Sequence, residues 1–416
     1  MQETHDHDAS SLREALVETL KKGSHIRSPR VETAFRGVPR HLFLPGVELE
    51  KVYSDEPIVT KRLDGLPISS STQPAAMAIM LEQLDLQPGH RVLEIGAGTG
   101  YNAAVMAHLV GSAGQVVTVD IDEDTADNAR KNLASAGFER VRVICADGGW
   151  GCADCAPYDR IILTVGAWDI APAWHEQLSP GGRLLLPLWI RSAQKTVAFE
   201  RANAHLSSVS ISNCAFMRLR GLFAGPEALV QLGVEGTVRV AVDDRSAVDP
   251  DVAHKLLTGS NRDFSTGVQI RPRAIWEGLL FWLALREPNF CSLSAEGEAA
   301  RRGIVPCLFG TQDKLHSACG LIEKDALCLL TRPPDEPAGA EPLEDPPPVE
   351  LIVRSFGEGD ALARRLIAQV TAWKDAGRPG NENLRIRAYP RDTDYAPSPN
   401  EIVVNKQWMQ FVFDGS

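Results

Sequence analysis

Three carboxylates are candidates for ligand binding because each stands at or near the end of a short apolar stretch: Glu94, Asp120 and Asp147. Glu94 leads into a glycine turn, which we define as residues 96–100 and which has glycine at positions 96, 98 and 100. Glycine lets the backbone turn tightly and approach a ligand, and a helix that begins at Tyr101 would present unpaired N–H groups to it. Carboxylates at strand ends beside such a turn are typical of a nucleoside-binding site.

The spacing of these carboxylates indicates which nucleoside is bound. Asp120 follows the turn by about 20 residues, where a carboxylate can accept both ribose hydroxyls, and this would suit NAD equally well. Asp147-Gly148 is placed for an adenine amino group, and Glu94 for the cationic amino end of an amino-acid-bearing nucleoside. The last glycine of the dinucleotide fingerprint is absent, because Asn102-Ala-Ala104 stands there. The pattern therefore favours S-adenosyl-L-methionine over a dinucleotide.

Four hydroxyl side chains in a row, the hydroxyl run (residues 69–72), precede Gln73-Pro74 and a stretch rich in Ala, Met and Leu. One interpretation is a helix start, since Ser and Thr favour N-cap positions and proline favours the first turn. The other is a set of donors that orients a carboxylate. The residues alone favour the first interpretation. The candidates for the second are Ser70, Ser71 and Thr72, with Gln73 as a substrate contact beside them.

The residues after the fourth predicted strand indicate which chemical class of group accepts the methyl group. Methyltransferases that act on base or amide nitrogen usually carry Asn or Asp, then Pro-Pro and an aromatic residue, whereas this chain has Thr164-Val-Gly-Ala-Trp168-Asp169. A carboxylate acceptor is already ionised at neutral pH, so it needs alignment and desolvation rather than a general base. Val165, Gly166 and Trp168 are the candidate substrate contacts in this stretch.

Alternating strands and helices between residues 91 and 187 would position these side chains. Their spacing is that of βαβ units and predicts an α/β fold, a doubly wound, Rossmann-like and mainly parallel sheet. The three carboxylates would then meet at one edge of the sheet, facing the glycine turn. The predicted strands are 91–95, 116–120, 141–145, 160–164 and 183–188, and the predicted helices lie near 101–109, 123–136 and 172–178.

Length and composition limit the class of protein. A chain of 416 residues suggests two domains, and a net charge of −11 argues against a nucleic-acid binder. The longest apolar runs, 184–190 and 278–285, are too short to cross a bilayer, and the polar first ten residues lack a signal-peptide core, so the cytoplasm is the expected location. The eight cysteines are scattered, and the single Cys152-x-x-Cys155 has no second ligand pair, so no metal is expected.

Several motifs between residues 12 and 225 resemble, in the same order, those of the protein L-isoaspartate O-methyltransferases. The resemblance implies that S-adenosyl-L-methionine, which leaves as S-adenosyl-L-homocysteine, is held by Glu94, Gly96, Gly98, Asp120 and Asp147. The full candidate set for the cofactor adds Ala97, Tyr101, Ile121 and Gly148. It also implies that the hydroxyl before Gln73-Pro74 orients the substrate carboxylate. The motifs are Val38-Pro-Arg-His-Leu-Phe43, Asp55-Glu-Pro-Ile58, Thr72-Gln73-Pro74, Val92-Leu-Glu-Ile-Gly-Ala-Gly-Thr-Gly-Tyr101, Ala146-Asp-Gly148, Ala156-Pro-Tyr-Asp-Arg-Ile-Ile162 and Leu178-Ser-Pro-Gly-Gly-Arg183.

The chain also departs from the usual pattern of this family. Thr72 takes the place of the catalytic serine, because Asp64-Gly-Leu-Pro-Ile-Ser-Ser-Ser-Thr72 replaces the usual Gly-x-Gly-Gln-Thr-Ile-Ser. Asp120 replaces the more common Glu, and Trp168 stands in a loop that usually holds small residues. Residues 226–416 follow where ordinary repair enzymes stop. This pattern is similar to extended homologues found with lanthipeptide gene clusters, which modify an aspartate in a ribosomally made peptide.

Residues 226–416 are expected to form one α+β accessory domain beside a methyltransferase domain at 1–225. The run 332–350 holds seven prolines among acidic residues and is predicted to be a flexible loop, with strands on both sides that could pair in one sheet. Two roles stay open for this domain: packing or oligomerisation, and recognition of a peptide by addition to a sheet edge. Its predicted strands are 238–242, 290–293, 326–331, 351–356, 384–389 and 408–413.

The expected function is transfer of a methyl group from S-adenosyl-L-methionine to an Asp side chain of a lanthipeptide-like peptide, with the ester leading through a succinimide (aspartimide) to isoaspartate. Ser70, Ser71 and Thr72 are the expected catalytic residues. The alternative is an isoaspartyl-protein repair methyltransferase, and the alternative of another class is a non-catalytic peptide-binding protein. The expected partner is a modified precursor peptide, and no nucleic acid or membrane is expected.

Overall fold

The computed structural model of the protein describes residues 2–63, 65–233, 235–311, 314–333 and 347–414. The middle of the predicted flexible loop, residues 334–346, lies outside them. In the described part of the chain, no helix is both long and apolar enough to span a membrane. The described α-helices are α1 (Gln2–Lys22), α2 (Pro29–Gly37), α3 (Leu49–Val52), α4 (Pro74–Leu84), α5 (Tyr101–Val110), α6 (Glu123–Ser135), α7 (Pro172–Gln177), α8 (Pro250–Thr258), α9 (Pro272–Ala274), α10 (Leu280–Arg286), α11 (Glu298–Arg301) and α12 (Asp360–Asp375).

The described strands form three sheets, the smallest of which is the antiparallel pair β1 and β2. The strands are β1 (Ile58–Leu63), β2 (Leu66–Ser71), β3 (Arg91–Ile95), β4 (Gln115–Asp120), β5 (Arg142–Cys145), β6 (Tyr158–Leu163), β7 (Leu178–Ile190), β8 (Ala193–Ala202), β9 (His205–Asn213), β10 (Ala228–Leu232), β11 (Val238–Val242), β12 (Asn261–Ile270), β13 (Phe290–Glu296), β14 (Phe309–Thr311), β15 (Leu315–Glu323), β16 (Ala326–Thr331), β17 (Val349–Gly357), β18 (Arg385–Pro390), β19 (Glu401–Asn405) and β20 (Met409–Asp414).

The first large sheet contains the strands predicted between residues 91 and 187. Its strands β5, β4, β3, β6 and β7 are parallel, in that order, and β8 and β9 continue it as antiparallel neighbours. The register pairs Glu94 with Thr118 and Asp120 with Cys145, so the carboxyl ends of these strands meet at one edge. The predicted α/β, Rossmann-like fold is confirmed.

Helices cover both faces of the parallel part of this sheet, and its middle strand β3 is accordingly apolar on both sides. Val92 packs into a core with the N-terminal helices α1, α2, α4 and α5, while Leu93 faces a second core. That second core continues into the other half of the chain and includes Val240 and Trp373. A parallel strand buried on both faces carries a near-continuous apolar run, and this is why β3 is recognisable in the sequence.

The second large sheet is antiparallel and belongs to the second half of the chain. Its strand order is β10, β11, β13, β15, β16, β17 and β12, with β14 added beside β15. Strands β16 and β17 pair with each other, for example through Leu327 and Phe356. The prediction that the strands on both sides of the Pro-rich run pair in one sheet is therefore confirmed.

The last three strands do not join that sheet but extend the first one. Strand β18 pairs with β9 through Arg387 and Ala388, and β20 and β19 follow outward. Alternating buried residues such as Ile386 and Ala388 predict a strand, but they do not reveal which sheet edge it covers. The strands predicted at 384–389 and 408–413 are thus wrongly assigned to a separate accessory unit. The division of the chain at residue 225 stays a prediction.

Candidate active site

A cavity of about 560 Å³ lies at the carboxyl edge of the first large sheet. Pockets for small ligands usually enclose about 300–1,000 Å³, so the volume suits a nucleoside. The cavity has a cofactor end, formed by the glycine turn and the ends of β3 and β4, and an acceptor end, formed by the hydroxyl run, residues 213–220 and Trp276. The predicted site residues that line it are Ser70, Ser71, Thr72, Gln73, Glu94, Gly96, Ala97, Gly98, Tyr101, Asp120, Ile121, Gly148 and Val165.

Glu94 is fully buried at the cofactor end, and among the described residues only neutral groups donate to it. Its Oε1 accepts from Asn102 Nδ2 at 2.7 Å, and its Oε2 accepts from Thr118 Oγ1 at 2.6 Å. Burial raises the pKa of Glu94 to about 7, against the opposing effect of these two hydrogen bonds. A cationic ligand group would stabilise the ionised form, which the protein alone holds only weakly at neutral pH.

The glycine turn has a conformation that requires glycine at its first position. Gly96 has a φ of +102°, and a Cβ there would lie 2.5 Å from Thr164 Oγ1. The Thr164 hydroxyl instead donates to the Gly96 carbonyl at 2.7 Å. The turn is thus fastened to the end of β6, and α5 begins directly after it with its N–H groups near the cavity.

Asp120 holds the other side of the turn. Its Oδ2 accepts from the Gly98 N–H at 3.1 Å and its Oδ1 from the Asp122 N–H at 3.1 Å, while partial burial raises its pKa. Asp122 forms ion pairs with Arg220 at 2.6 Å and with Lys61 at 3.1 Å. These ion pairs tie the segment after β9 and the β1–β2 hairpin to the cofactor end.

The hydroxyl run does not cap the following helix. Residues 69–71 lie in β2, and the N-cap of α4 is Gln73, whose side chain makes no capping hydrogen bond. Gln73 Nε2 instead donates to the Asp55 Oδ2 at 3.1 Å, and Asp55 Oδ1 accepts from the Ala75 N–H at 2.8 Å. The helix predicted after the run does begin at Pro74 and end at Leu84, but the prediction that a hydroxyl of the run caps it is wrong, because Asp55 supplies the cap.

Arg40 holds the backbone at the end of the hydroxyl run. It was not among the predicted site residues. Its Nη2 donates to the Thr72 carbonyl at 2.9 Å, and its guanidinium lies 5.1 Å from the centre of the Tyr101 ring. Burial lowers the pKa of this fully buried arginine. A Cβ on Gly98 would lie 3.6 Å from the Ser70 carbonyl, so the hydroxyl run and the glycine turn meet in one cavity.

Three predicted site residues are not among those that line the cavity in the described part of the chain. Asp147 Oδ1 accepts from the Gly149 N–H at 2.9 Å, and its Oδ2 accepts from the Leu222 N–H at 2.7 Å, so both oxygens hold backbone. Gly166 exchanges backbone hydrogen bonds with residues 217 and 219 at 2.7 Å. The Trp168 carbonyl accepts from Lys406 Nζ. All three join separate segments around the cavity.

Sequence reasoning missed further residues that line the cavity. Asn102, which appeared only as a departure from the dinucleotide fingerprint, orients Glu94, and its buried Oδ1 has no partner among the described residues. Trp276 comes from the second half of the chain, and nothing in its local sequence indicates a site. Arg40 was missed as well; it does not line the cavity but holds the Thr72 backbone beside it. It lies in the motif at residues 38–43, which gave the only hint of it.

The cofactor end fits an amino-acid-bearing nucleoside. Within the described part of the chain, Glu94 is a buried carboxylate with only neutral donors, and Asn102 Oδ1 is a buried acceptor that lacks a donor. An ammonium group would complete both, and buried polar groups in proteins are nearly always paired. A glycine turn between a parallel strand and a helix, with carboxylates at the ends of β3 and β4, defines a Rossmann-like, S-adenosyl-L-methionine-dependent methyltransferase.

The family follows from the sequence. The profile described as protein-L-isoaspartate(D-aspartate) O-methyltransferase matches residues 10–222, more than half of the chain. The chain belongs to this family, whose members use S-adenosyl-L-methionine and act on proteins or peptides. The protein-L-isoaspartate O-methyltransferase of Methanopyrus kandleri is 44% identical over 211 residues, which is 50% of this chain and 91% of that protein. That of Thermotoga maritima is 40% identical over 189 residues, 45% of this chain and 59% of that protein.

A solved structure resembles both halves of the chain. A protein-L-isoaspartate O-methyltransferase superposes with a TM-score of 0.50 and 23% identity, and the match covers 90% of this chain and 96% of that one. At this identity the likeness concerns the fold alone. The fold of the second half is therefore not peculiar to this chain.

Proposed function

We propose that this methyltransferase esterifies the side chain of an Asp residue in a ribosomally made, lanthipeptide-like peptide, and that the ester leads through a succinimide to isoaspartate. One observation supports the proposal above all others: the buried Glu94 carboxylate and the hydroxyl run line the same cavity. A cofactor with a cationic amino end and an anionic acceptor can thus meet there.

The residues of the chain have distinct roles in this proposal. Glu94 and Asn102 bind the amino end of the cofactor, and Asp120 accepts from the ribose hydroxyls. S-adenosyl-L-methionine, when bound, supplies a methyl group on a sulfonium. The hydroxyls of Ser70, Ser71 and Thr72 donate to the acceptor carboxylate and orient it, and the buried Arg40 holds the Thr72 backbone. No general base is needed, because the acceptor is ionised at neutral pH.

The later steps occur on the peptide itself. An aspartyl ester is a better electrophile than the carboxylate, so the backbone nitrogen of the next residue attacks its carbonyl carbon. The nitrogen loses its proton, methanol leaves, and a succinimide ring forms. Water then opens the ring at either carbonyl and gives isoaspartate or aspartate. The starting residue distinguishes the two enzymatic functions: modification begins from aspartate, and repair begins from isoaspartate.

The alternative of repair is supported by the relatives, which are named protein-L-isoaspartate O-methyltransferases. The departures at the hydroxyl run, with Thr72 in the place of the serine, favour a different acceptor geometry. A non-catalytic peptide-binding role, the alternative from another class, is disfavoured by the intact Glu94, Gly96 and Asp120 at the cofactor end.

Mass spectrometry would distinguish the two acceptors. The full chain and S-adenosyl-L-methionine are incubated with a cyclised lanthipeptide precursor, with the same precursor in which the target Asp is replaced by Asn, and with a synthetic isoaspartyl peptide. We expect only the Asp-containing precursor to gain one methyl group and then lose methanol. Methylation of the isoaspartyl peptide alone would replace the proposal with repair.

Calorimetric titration with S-adenosyl-L-homocysteine would test the enzymatic function itself. The chain should bind this product at the cofactor end, because its amino group meets Glu94 and its ribose meets Asp120. A chain that does not bind it would instead match the non-catalytic alternative.

A further inference from the structure

Among the described residues beyond position 225, Trp276 alone lines the cavity. Forty per cent of its surface is exposed, although it is large and apolar. The cavity it shares with the hydroxyl run is also lined by the apolar side chains of Pro57, Ile79, Phe216 and Met217. Exposed aromatic surface in a ligand cavity is a typical recognition element rather than part of a core.

The backbone around Trp276 has an unusual conformation. Residues Ile275–Leu279 form a π-helical turn between α9 and α10. Such turns occur often at functional sites, because they interrupt the regular hydrogen bonding of the helix and redirect a side chain. The carbonyls of Trp276 and Glu277 in this turn accept from Lys195 Nζ at 3.3 and 3.2 Å.

Two basic residues, one on strand β8 and one in the turn between β7 and β8, hold the helical segment that carries Trp276. Lys195, on β8, is almost completely buried and also donates to Asn213, which lines the cavity. Burial lowers the pKa of Lys195 to about 8. Arg191 donates to the carbonyls of residues 284 and 285 at 2.9 Å, at the other end of α10. The helix is therefore fixed relative to the cavity at two points.

The ring of Trp276 is also held from its own half of the chain. It packs edge-to-face with Phe309 on β14, with 5.9 Å between the ring centres and an angle of 77°. Aromatic pairs in this arrangement favour one orientation. A rigid, partly exposed indole binds an apolar partner with little loss of side-chain entropy, which explains why tryptophan is enriched among residues that dominate binding energies.

We propose that Trp276 is a specificity-determining residue for the peptide acceptor: its indole packs against an apolar side chain next to the target aspartyl residue. Through it the second half of the chain takes part in choosing the substrate. This inference deepens the proposed function and rests on it for the nature of the acceptor.

The test compares peptide binding to the full chain loaded with S-adenosyl-L-homocysteine. Fluorescein-labelled peptides differ only in having Leu or Ser beside the aspartyl residue, and fluorescence anisotropy gives their dissociation constants. Trp276→Ala should weaken binding of the Leu peptide about tenfold and of the Ser peptide less than about twofold, as expected for loss of one buried aromatic contact. Trp276→Phe should recover part of the affinity.

Controls separate this contact from general damage. Trp282→Ala alters an aromatic residue of the same helix that packs against Arg286 and not against the cavity, and should leave both peptides unaffected. The affinity for S-adenosyl-L-homocysteine should stay within about twofold in every variant. Three results for Trp276→Ala would each overturn the role of Trp276. Binding of the Leu and Ser peptides could be weakened equally, binding of neither could be weakened, or the affinity for S-adenosyl-L-homocysteine could be lost.

Repeating the measurement with the same peptides in isoaspartyl form tests the proposed Asp acceptor separately from the proposed role of Trp276. If the wild-type chain binds only the isoaspartyl form, the proposed acceptor is wrong, and the Leu–Ser comparison is made on that form with the same expectations for Trp276. A wild-type chain that prefers neither Leu nor Ser in either form, or binds none of the peptides, would overturn the inference.

Discussion

The two ends of the cavity are built in different ways. At the cofactor end, Glu94, the glycine turn and Asp120 come from one βαβ unit, and the turn is bonded directly to Asp120. At the acceptor end, the hydroxyl run, residues 213–220 and Trp276 come from distant parts of the chain and are joined by buried basic side chains such as Arg40 and Lys195. The first arrangement is local, and the second depends on tertiary packing.

This difference predicts that the two ends can be damaged separately. A change at the cofactor end should reduce affinity for S-adenosyl-L-homocysteine, while a change at the acceptor end should reduce methyl transfer or peptide affinity alone. Each of the following variants tests that separation.

Asp120→Ala should have the largest effect. The variant removes the carboxylate that holds the Gly98 N–H and, as proposed, accepts from the ribose hydroxyls. Hydrogen bonds to a charged group contribute about 1.5–3 kcal/mol each, so the affinity for S-adenosyl-L-homocysteine should fall at least about 100-fold by calorimetry. Asp127→Ala, which changes an exposed carboxylate on α6, is the matched control and should bind normally. Retained affinity in Asp120→Ala would refute the ribose role.

Ser71→Ala combined with Thr72→Ala should affect only the acceptor end. Loss of two hydrogen bonds to the ionised acceptor, each about 1.5 kcal/mol at the lower end of the range for a charged group, should lower the rate of methyl transfer about 100-fold. The affinity for S-adenosyl-L-homocysteine should stay within about twofold, because neither hydroxyl belongs to the cofactor end. Transfer rates are measured by mass spectrometry at saturating cofactor. A collapse of cofactor affinity would show that the two ends are not separate.

The same difference explains how much of the molecule could be predicted from the sequence. The parallel sheet, Glu94 and Asp120 were predictable, because contiguous apolar strands and turn glycines determine their positions. Asp147 looked equivalent, yet it binds the backbone of Leu222, a contact 75 residues away that no local pattern reveals. The hydroxyl run resembled a helix cap because Ser and Thr favour such positions, but pairing with β1 draws it into a strand.

The acceptor end was largely hidden for a related reason. Trp276 reaches the cavity only because β8 and the second half of the chain pack together, and the sequence around it is that of an ordinary buried helix. The strands β18 to β20 have clear alternation, but their position beside β9 depends on an edge formed by residues about 180 positions earlier in the chain.

The ionisation of Glu94 should make cofactor binding depend on pH. Its pKa is raised to about 7 by burial, and the cationic amino group of the ligand favours the ionised form. Binding below this pKa therefore releases a proton, and affinity should increase about tenfold from pH 6 to pH 8 and level off above. Calorimetry with S-adenosyl-L-homocysteine over this range measures the effect. Peptide binding to the loaded chain should not follow the same curve.

Glu94→Gln is the control for this pH dependence. The amide cannot ionise, so cofactor affinity should be low and constant from pH 6 to pH 8. Because a raised carboxyl pKa costs stability as pH rises from the unfolded value of 4.5 to about 7, the variant should also be more stable than the wild type at pH 8, by up to about 3 kcal/mol. A variant with an unchanged pH profile would assign the titration to another group.

Lys406→Met should have the smallest effect and bears most directly on the dependence of the acceptor end on distant segments. Lys406 is buried beside the last strands and donates to the carbonyls of Trp168 and, at 2.5 Å, Trp189, so it fixes the loop after β6 from the C-terminal part of the chain. Its removal leaves these carbonyls without that donor, and the loop should shift enough to raise the peptide KM about threefold, a loss within the usual range for one hydrogen bond. Lys374→Met, at the exposed end of α12, is the matched control. Affinity for S-adenosyl-L-homocysteine should not change, since Lys406 contacts no part of the glycine turn. If the affinities for the peptide and for S-adenosyl-L-homocysteine fall together, the C-terminal strands support the whole cavity rather than its acceptor end.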